Sequence, residues 1–218
     1  MSRLINCLIK DGYLKSPAII RAFKKISRAD FAPEELVRKK GREFIEEHNT
    51  PLSIGFNQTV SQPLTVAFML EQLQPKKGDR VLDIGSGSGW QTALLAEIIG
   101  PDGFVYAVER IRKLKDFGER NVAKYGFKNT QFIIGDGTKG LSDQAPFARI
   151  IAAAAGEEIP AVWKKQLEIG GRLVAPVENS IYLLIKKSEG KFEKREYPGF
   201  AFVPLIEGVK KSIKRVLP

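Results

Sequence analysis

Three acidic residues close three apolar runs in this chain, and their spacing suits a site for a polar cofactor. The first, Asp83, ends Val81-Leu82-Asp83-Ile84 and precedes Gly85-Ser86-Gly87-Ser88-Gly89-Trp90. Alternate glycines let backbone approach a ligand with no Cβ in the way, or adopt φ > 0. A helical pattern, Ala93-Leu94-Leu95-Ala96-Glu97-Ile98-Ile99, follows and stops at Gly100. Its start offers unpaired N–H groups and the positive end of a dipole. The second acid, Glu109, ends Phe104-Val105-Tyr106-Ala107-Val108. It lies about 20 residues beyond the glycine turn, where an acid can hold both ribose hydroxyls. The third, Asp136, follows Phe132-Ile133-Ile134-Gly135 and could accept from an adenine amino group.

The glycine spacing separates the possible cofactors. A dinucleotide turn reads G-x-G-x-x-G, with a phosphate on the helix N-terminus. Here it reads G-x-G-x-G, with Asp83 two positions before the first glycine. A carboxylate beside a pyrophosphate is unfavourable, whereas a carboxylate beside an ammonium group is not. S-adenosylmethionine (SAM) carries an amino-acid end and a sulfonium, so it is the expected cofactor and a nicotinamide is disfavoured. Any one of the three acids could be an ordinary helix cap; the three together point to SAM.

Composition narrows the remaining classes. The 218 residues suffice for one α/β domain with a sizeable core. No apolar run approaches a membrane span, and no leader pattern opens the chain, so a cytoplasmic protein is expected. One cysteine, Cys7, excludes an internal disulfide, and one histidine, His48, makes no metal centre alone. His48 reads as a solvated loop residue, and no metal is expected. The formal charge of +10 raises the question of a nucleic-acid partner. The basic residues are dispersed, from Arg38-Lys39-Lys40 through Lys164-Lys165 to Lys210-Lys211, and no aromatics are interleaved with them. A solvated basic surface on a monomer is the expectation.

These residues must be positioned by elements that the patterning also marks. Residues 1–75 read as helices with a loop at 46–60, and Pro63 opens a helix through Val66, Met69, Leu70 and Leu73. Strands and helices then alternate: strand 80–84, helix 90–99, strand 103–109, helix 112–125, strand 130–134, strand 149–155, helix 160–168. Three strands follow without long helices between them, at 172–177, 181–185 and 200–203. Such an order predicts a three-layer, Rossmann-like α/β fold with a mainly parallel sheet and an antiparallel C-terminal edge. The expected organisation is a single SAM-dependent domain: a helical cover and substrate loop at 1–75, a SAM-binding core at 76–178, and C-terminal strands with a basic tail at 179–218.

Upstream of the glycine turn stands Pro51-Leu52-Ser53-Ile54-Gly55-Phe56-Asn57-Gln58-Thr59-Val60-Ser61-Gln62-Pro63. This segment resembles the PL-x-I-G-x-G-Q-T-I-S-x-P element of the protein-L-isoaspartate O-methyltransferases. The resemblance covers most of the chain. Arg28 to Pro33 is similar to the family's R-x-x-F-V-P, Asp83 to Gln91 to its SAM turn, Gly135-Asp136-Gly137 to its G-D-G, and Phe202-Val203-Pro204-Leu205 to its C-terminal signature. It departs at Asn57, where glycine is usual, at Ala148 in place of Asp, and at Ala153 and Gly156 within a T-A-A-P-P segment.

The resemblance implies methyl transfer from SAM to the free α-carboxylate of an isoaspartyl residue in a damaged protein or peptide. The ester would cyclise to a succinimide, whose hydrolysis restores aspartate. A carboxylate is ionised at pH 7 and needs no general base. Ser61 is then the positioning group beside the methyl and the substrate carboxylate, its hydroxyl donating one hydrogen bond. Its plain alternative is to cap the helix at Pro63. The implied cofactor residues are Asp83, Gly85, Ser86, Gly87, Ser88, Gly89, Glu109, Arg110, Asp136 and Gly137. The implied substrate residues are Gln58, Thr59, Val60, Val203 and Pro204. Trp90 reads as a cofactor cover or a core aromatic. A nucleic-acid or small-molecule methyltransferase, and a SAM-binding homologue with reduced catalysis, are the competing readings.

Overall fold

A computed structural model describes residues 2–210; the basic positions Lys211, Lys214 and Arg215 lie outside the described residues. The N-terminal cover comprises α1 (Arg3–Lys10), α2 (Pro17–Lys25), a single 3-10 turn (Arg28–Phe31), α3 (Glu34–Lys40) and α4 (Arg42–Glu47). The turn at 28–31 is pinned to the rest of the protein. The Tyr125 hydroxyl donates to Asp30 Oδ2 (2.7 Å) and accepts from the Ser27 N–H (2.9 Å), while the Phe31 and Tyr125 rings stack at 5.8 Å.

The expected loop at 46–60 contains a hairpin instead. Strands β1 (Leu52–Gly55) and β2 (Gln58–Val60) pair antiparallel across Phe56 and Asn57, both with positive φ (56° and 60°). Positive φ at both central residues gives a twist that suits two-residue hairpins. Asparagine tolerates this region, so Asn57 in place of glycine keeps the turn. Helix α5 (Pro63–Leu73) follows.

The core is a seven-stranded sheet in the order β5-β4-β3-β6-β7-β8-β9. Its parallel part consists of β3 (Arg80–Ile84), β4 (Phe104–Glu109), β5 (Thr130–Ile134), β6 (Phe147–Ala152) and β7 (Leu167–Val177). The antiparallel edge is β8 (Ser180–Ser188) and β9 (Lys191–Pro198). Helices α6 (Trp90–Ile99) and α7 (Arg112–Ala123) connect the first strands, and α8 (Ala161–Gln166) precedes β7. Alternation sends Val81 into a core shared with α5, α6 and the N-terminal helices. Leu82 and Ile84 enter the opposite core, which includes Trp163 of α8. The expected three layers are present.

Three strand assignments move: β6, expected at 149–155, runs from Phe147 and closes at Ala152. Among the described residues the last strand is β9, and 200–203 forms no strand. Phe200 and Phe202 pack against the core, Phe200 stacking on Phe68 at 5.2 Å. Their backbone joins no ladder and makes a single bridge, Ala155 to Pro204. Strand β7 also begins earlier than expected and runs through Gly170-Gly171. No helix among the described residues is long and apolar enough to cross a membrane.

Candidate active site

The strand order reverses direction at β3, whose neighbours are β4 and β6. Open α/β sheets bind ligands at that switch point, beyond the carboxyl ends of the strands. A cavity of about 300 Å³ opens there, a small-molecule size. It is lined by the glycine turn after β3, by Glu109 at the end of β4 and by Arg110. Gln58, Thr59 and Ser61 of the hairpin segment line it as well, as do residues of the segment 201–206.

The turn is held from below. Glu109 Oε2 accepts from the Gly87 N–H (3.0 Å), and its Oε1 accepts from the Ile111 N–H (2.9 Å). Each carboxylate oxygen keeps a further lone pair for a ligand hydroxyl. Burial pushes the Glu109 carboxyl up. Gly89 (φ +85°) starts α6 where an added Cβ would lie 2.7 Å from the Gly118 carbonyl oxygen of α7. An added Cβ at Gly118 would in turn lie 2.8 Å from the Gly87 carbonyl oxygen. The turn and α7 are therefore in backbone contact, and Asn121 Nδ2 donates to the Ser88 carbonyl (3.1 Å).

Asp83 does not reach the cavity. It is fully buried, its Oδ1 accepting from Gln91 Nε2 (2.8 Å) and its Oδ2 from Thr92 Oγ1 (2.6 Å). Side chains in the first turn of a helix point back toward its N-terminus, which brings Gln91 and Thr92 onto the strand-end acid. Gln91 itself lines the cavity, so Asp83 orients a lining residue rather than meeting the ligand. Desolvation raises the Asp83 carboxyl to about 6. A folded pKa above the unfolded value of about 3.9 means that the folded state holds the proton more tightly. Stability from this group is therefore full below about pH 4 and lost as pH rises through about 6. The shift corresponds to about 3 kcal/mol. Urea titrations at pH 4 to 7 should show this decline in the wild type and a flatter profile in Asp83→Asn; parallel profiles would refute it.

The remaining polar groups fit SAM. Buried polar atoms are almost always paired. Here Ser86 Oγ, Trp90 Nε1 and Asp136 Oδ2 are buried without a hydrogen-bond partner among the described residues, and Ser86 and Trp90 line the cavity. Asp136 does not line it; its Oδ1 accepts from the Thr138 N–H (3.0 Å) and hydroxyl (2.7 Å), while Gly137 forms the wall. Trp90 serves both of its expected roles, since it lies in the core against Phe23 and also faces the cavity.

Ser61 is half-buried and lines the cavity. It is not a helix cap: the N-cap of α5 is Gln62, without a side-chain cap bond. Val60 turns away, 1% exposed in the core, because alternation along β2 sends its side chain to the face opposite Thr59. Val203 and Pro204 line the side wall, where the Val203 carbonyl accepts from the Ala155 N–H (2.8 Å) and the Leu205 N–H donates to the Ala155 carbonyl (2.7 Å).

A sequence model of the protein-L-isoaspartate(D-aspartate) O-methyltransferases (PCMT) matches residues 1–210. The chain belongs to this family. The protein-L-isoaspartate O-methyltransferase of Ignicoccus hospitalis is 41% identical over 209 residues, covering 94% of this chain and 96% of that protein. The enzyme of the same name from Pyrococcus horikoshii is 40% identical over 209 residues, 94% and 91% of the two chains. A solved protein-L-isoaspartate O-methyltransferase, 28% identical, superposes with a TM-score of 0.81 over 93% of this chain and 64% of that one. A Plasmodium falciparum structure of this kind, crystallised with S-adenosyl-L-homocysteine, shares the fold at 23% identity with a TM-score of 0.81, over 93% and 96% of the chains.

Within the PCMT pattern, seven of the ten expected cofactor residues line the cavity: Gly85, Ser86, Gly87, Ser88, Glu109, Arg110 and Gly137. Asp83, Gly89 and Asp136 do not line it. Gln58, Thr59, Ser61, Val203 and Pro204 also line it, and Val60 does not. The departures are accommodated. Ala153 lines the cavity, where it removes a hydroxyl, and Gly156 donates its N–H to the Pro176 carbonyl (3.3 Å), a bond proline cannot make. Ala148 is buried in β6. His48 stays off the cavity, stacked on Phe44 at 4.0 Å. The lining residues Gln62, Thr65, Ala154 and Ile206 escaped the sequence reading because neither charge nor glycine marks them.

Proposed function

We propose that this protein transfers the methyl group of SAM to the free carboxylate of L-isoaspartyl residues in damaged proteins or peptides, initiating their return to aspartate. One observation carries the reading beyond family membership. Among the described residues that line the cavity, the only ionisable groups are Glu109 and Arg110, and Glu109 is held at the glycine turn by the Gly87 and Ile111 N–H groups, with its remaining lone pairs suited to ligand hydroxyls. The rest of the described lining offers hydroxyls, amides and backbone, and no carboxylate, imidazole or amine that could activate an alcohol or amine. The acceptor must arrive nucleophilic, and a carboxylate does.

Bound SAM would supply a methyl group on a cationic sulfur. The chain's own work is then positioning. The glycine turn and Glu109 hold the donor side, and Ser61, Gln58 and Thr59 orient the carboxylate in line with it. Val203 and Pro204 offer extended backbone beside a substrate peptide. The carboxylate oxygen takes the methyl and no proton moves, so orientation and a water-poor cavity account for the rate.

The direct test offers labelled methyl on SAM to matched isoaspartyl and aspartyl peptides, with bulk RNA in parallel. Base-labile label on the isoaspartyl peptide alone is the expected result. Stable label on RNA would favour a nucleic-acid methyltransferase, and SAM binding without transfer would favour a non-catalytic homologue; either would overturn the proposal.

A further inference from the structure

Arg28 is 2% exposed, and nearly all of its bonding goes to one stretch of backbone. Its Nη1 donates to the carbonyls of Ile45 (3.1 Å) and His48 (2.8 Å). Its Nη2 donates to the carbonyls of Thr50 (2.7 Å) and Ser61 (3.0 Å), with a longer approach to Val60 (3.4 Å). One guanidinium thus gathers both ends of the segment that carries the hairpin and Ser61. A planar fork of donors can do this; a lysine ammonium, with three donors on a flexible stem, cannot reach four carbonyls at once. Burial lowers the guanidinium to about 10, which leaves it cationic at neutral pH.

The other face of the guanidinium lies 5.6 Å from the centre of the Trp90 ring. Trp90 is the first residue of α6 and lines the cavity. The backbone under Arg28 is the 3-10 turn fixed to Tyr125, just beyond the C-terminal end of α7, and Lys124 Nζ also donates to the Asp30 carbonyl (2.9 Å). The same α7 touches the glycine turn through Gly118. A continuous path of close contacts therefore runs from the donor side of the cavity, through α7 and the turn at 28–31, to the Ser61 carbonyl.

We propose that Arg28 is a positioning residue for Ser61: it sets where the Ser61 hydroxyl stands relative to the glycine turn, and so acts on methyl transfer rather than on cofactor binding. The inference rests on the reading of Ser61 given above. A role confined to stability would make the same bonds, so the test must separate the two.

Arg28→Lys and Arg28→Gln should be made in the wild type and in Ser61→Ala. S-adenosylhomocysteine affinity, kcat and KM for an isoaspartyl peptide should be measured for each. Expected in the Ser61 background is a kcat loss of about tenfold or more, with S-adenosylhomocysteine affinity within about threefold of wild type. In the Ser61→Ala background the same substitutions should change kcat by less than about threefold, because residues acting as one unit are not additive. Equal losses in both backgrounds, or unchanged kcat, would overturn the inference while leaving the Ser61 reading intact. Loss of S-adenosylhomocysteine binding in both variants would also overturn it, since Arg28 would then hold the fold. Normal turnover in Ser61→Ala alone would remove the Ser61 reading and this inference with it.

Discussion

Ser61→Ala should lower kcat on an isoaspartyl peptide about 30-fold and leave S-adenosylhomocysteine affinity within about twofold of wild type. The magnitude follows from one hydrogen bond to a charged acceptor, worth about 2 kcal/mol. The separation of the two effects follows from the geometry. Ser61 lines the cavity from a different segment than the glycine turn, and its hydroxyl caps no helix. The backbone that carries it is held by Arg28 through the Ser61 carbonyl, a bond that the substitution leaves in place. The variant should therefore fold as the wild type does and lose only the group that orients the acceptor. Steady-state kinetics beside calorimetric titration of S-adenosylhomocysteine would decide it. A kcat within threefold of wild type would eliminate the positioning role.

Gly118→Ala should weaken S-adenosylhomocysteine binding by about tenfold or more and lower the melting temperature, although Gly118 does not line the cavity. The added methyl carbon would lie 2.8 Å from the Gly87 carbonyl oxygen, 3.0 Å from the Phe132 ring and 3.2 Å from the Gly89 nitrogen. Two of these three are backbone of the glycine turn, so the turn or α7 must move. Overpacking of this kind costs about 1–3 kcal/mol, and about 1.4 kcal/mol expressed in the turn is tenfold in affinity. Gly118 has no positive φ to lose and alanine favours helix, so the clash is the only penalty the substitution carries. An unchanged affinity would mean that α7 yields and the turn does not depend on it.

Legibility in the sequence followed how local each determinant is. The unit from Val81 to Gly100 is contiguous, with a buried strand, a glycine turn and an apolar helix in direct succession, and its boundaries were readable to within a residue. The short hairpin at 52–60 was not. Ile54 and Val60 are its buried side chains, too few for an alternating pattern, and Phe56-Asn57 lacks the glycine that usually marks such a turn. Strand β9 was missed because it is a charged edge, Lys191 to Pro198, with few apolar residues to reveal its period; Glu189-Gly190 before it was the available sign of a hairpin. Phe200 and Phe202 were misread for the opposite reason. They alternate as in a strand, yet they are half-buried by packing against the core, Phe200 on the ring of Phe68, and not by a ladder. The site itself was readable where function needs glycine or an acid at a strand end. It was not readable where one polar side chain satisfies another, as Gln91 and Thr92 do for Asp83.

The cavity draws its walls from residues as far apart as Pro51 and Ile206, and this has a consequence for how the protein is made. Chains emerge from the ribosome N-terminal end first, and contacts distant in sequence form late. The hairpin, the glycine turn and the helices that bury it are all synthesised before β7 leaves the ribosome. The segment 201–206 arrives last and is tied in by a few bonds, between Ala155 and its neighbours Val203 and Leu205 and between Arg110 and Gly208. A growing chain thus already carries the glycine turn, Glu109 and Ser61 while it still lacks one wall of the cavity.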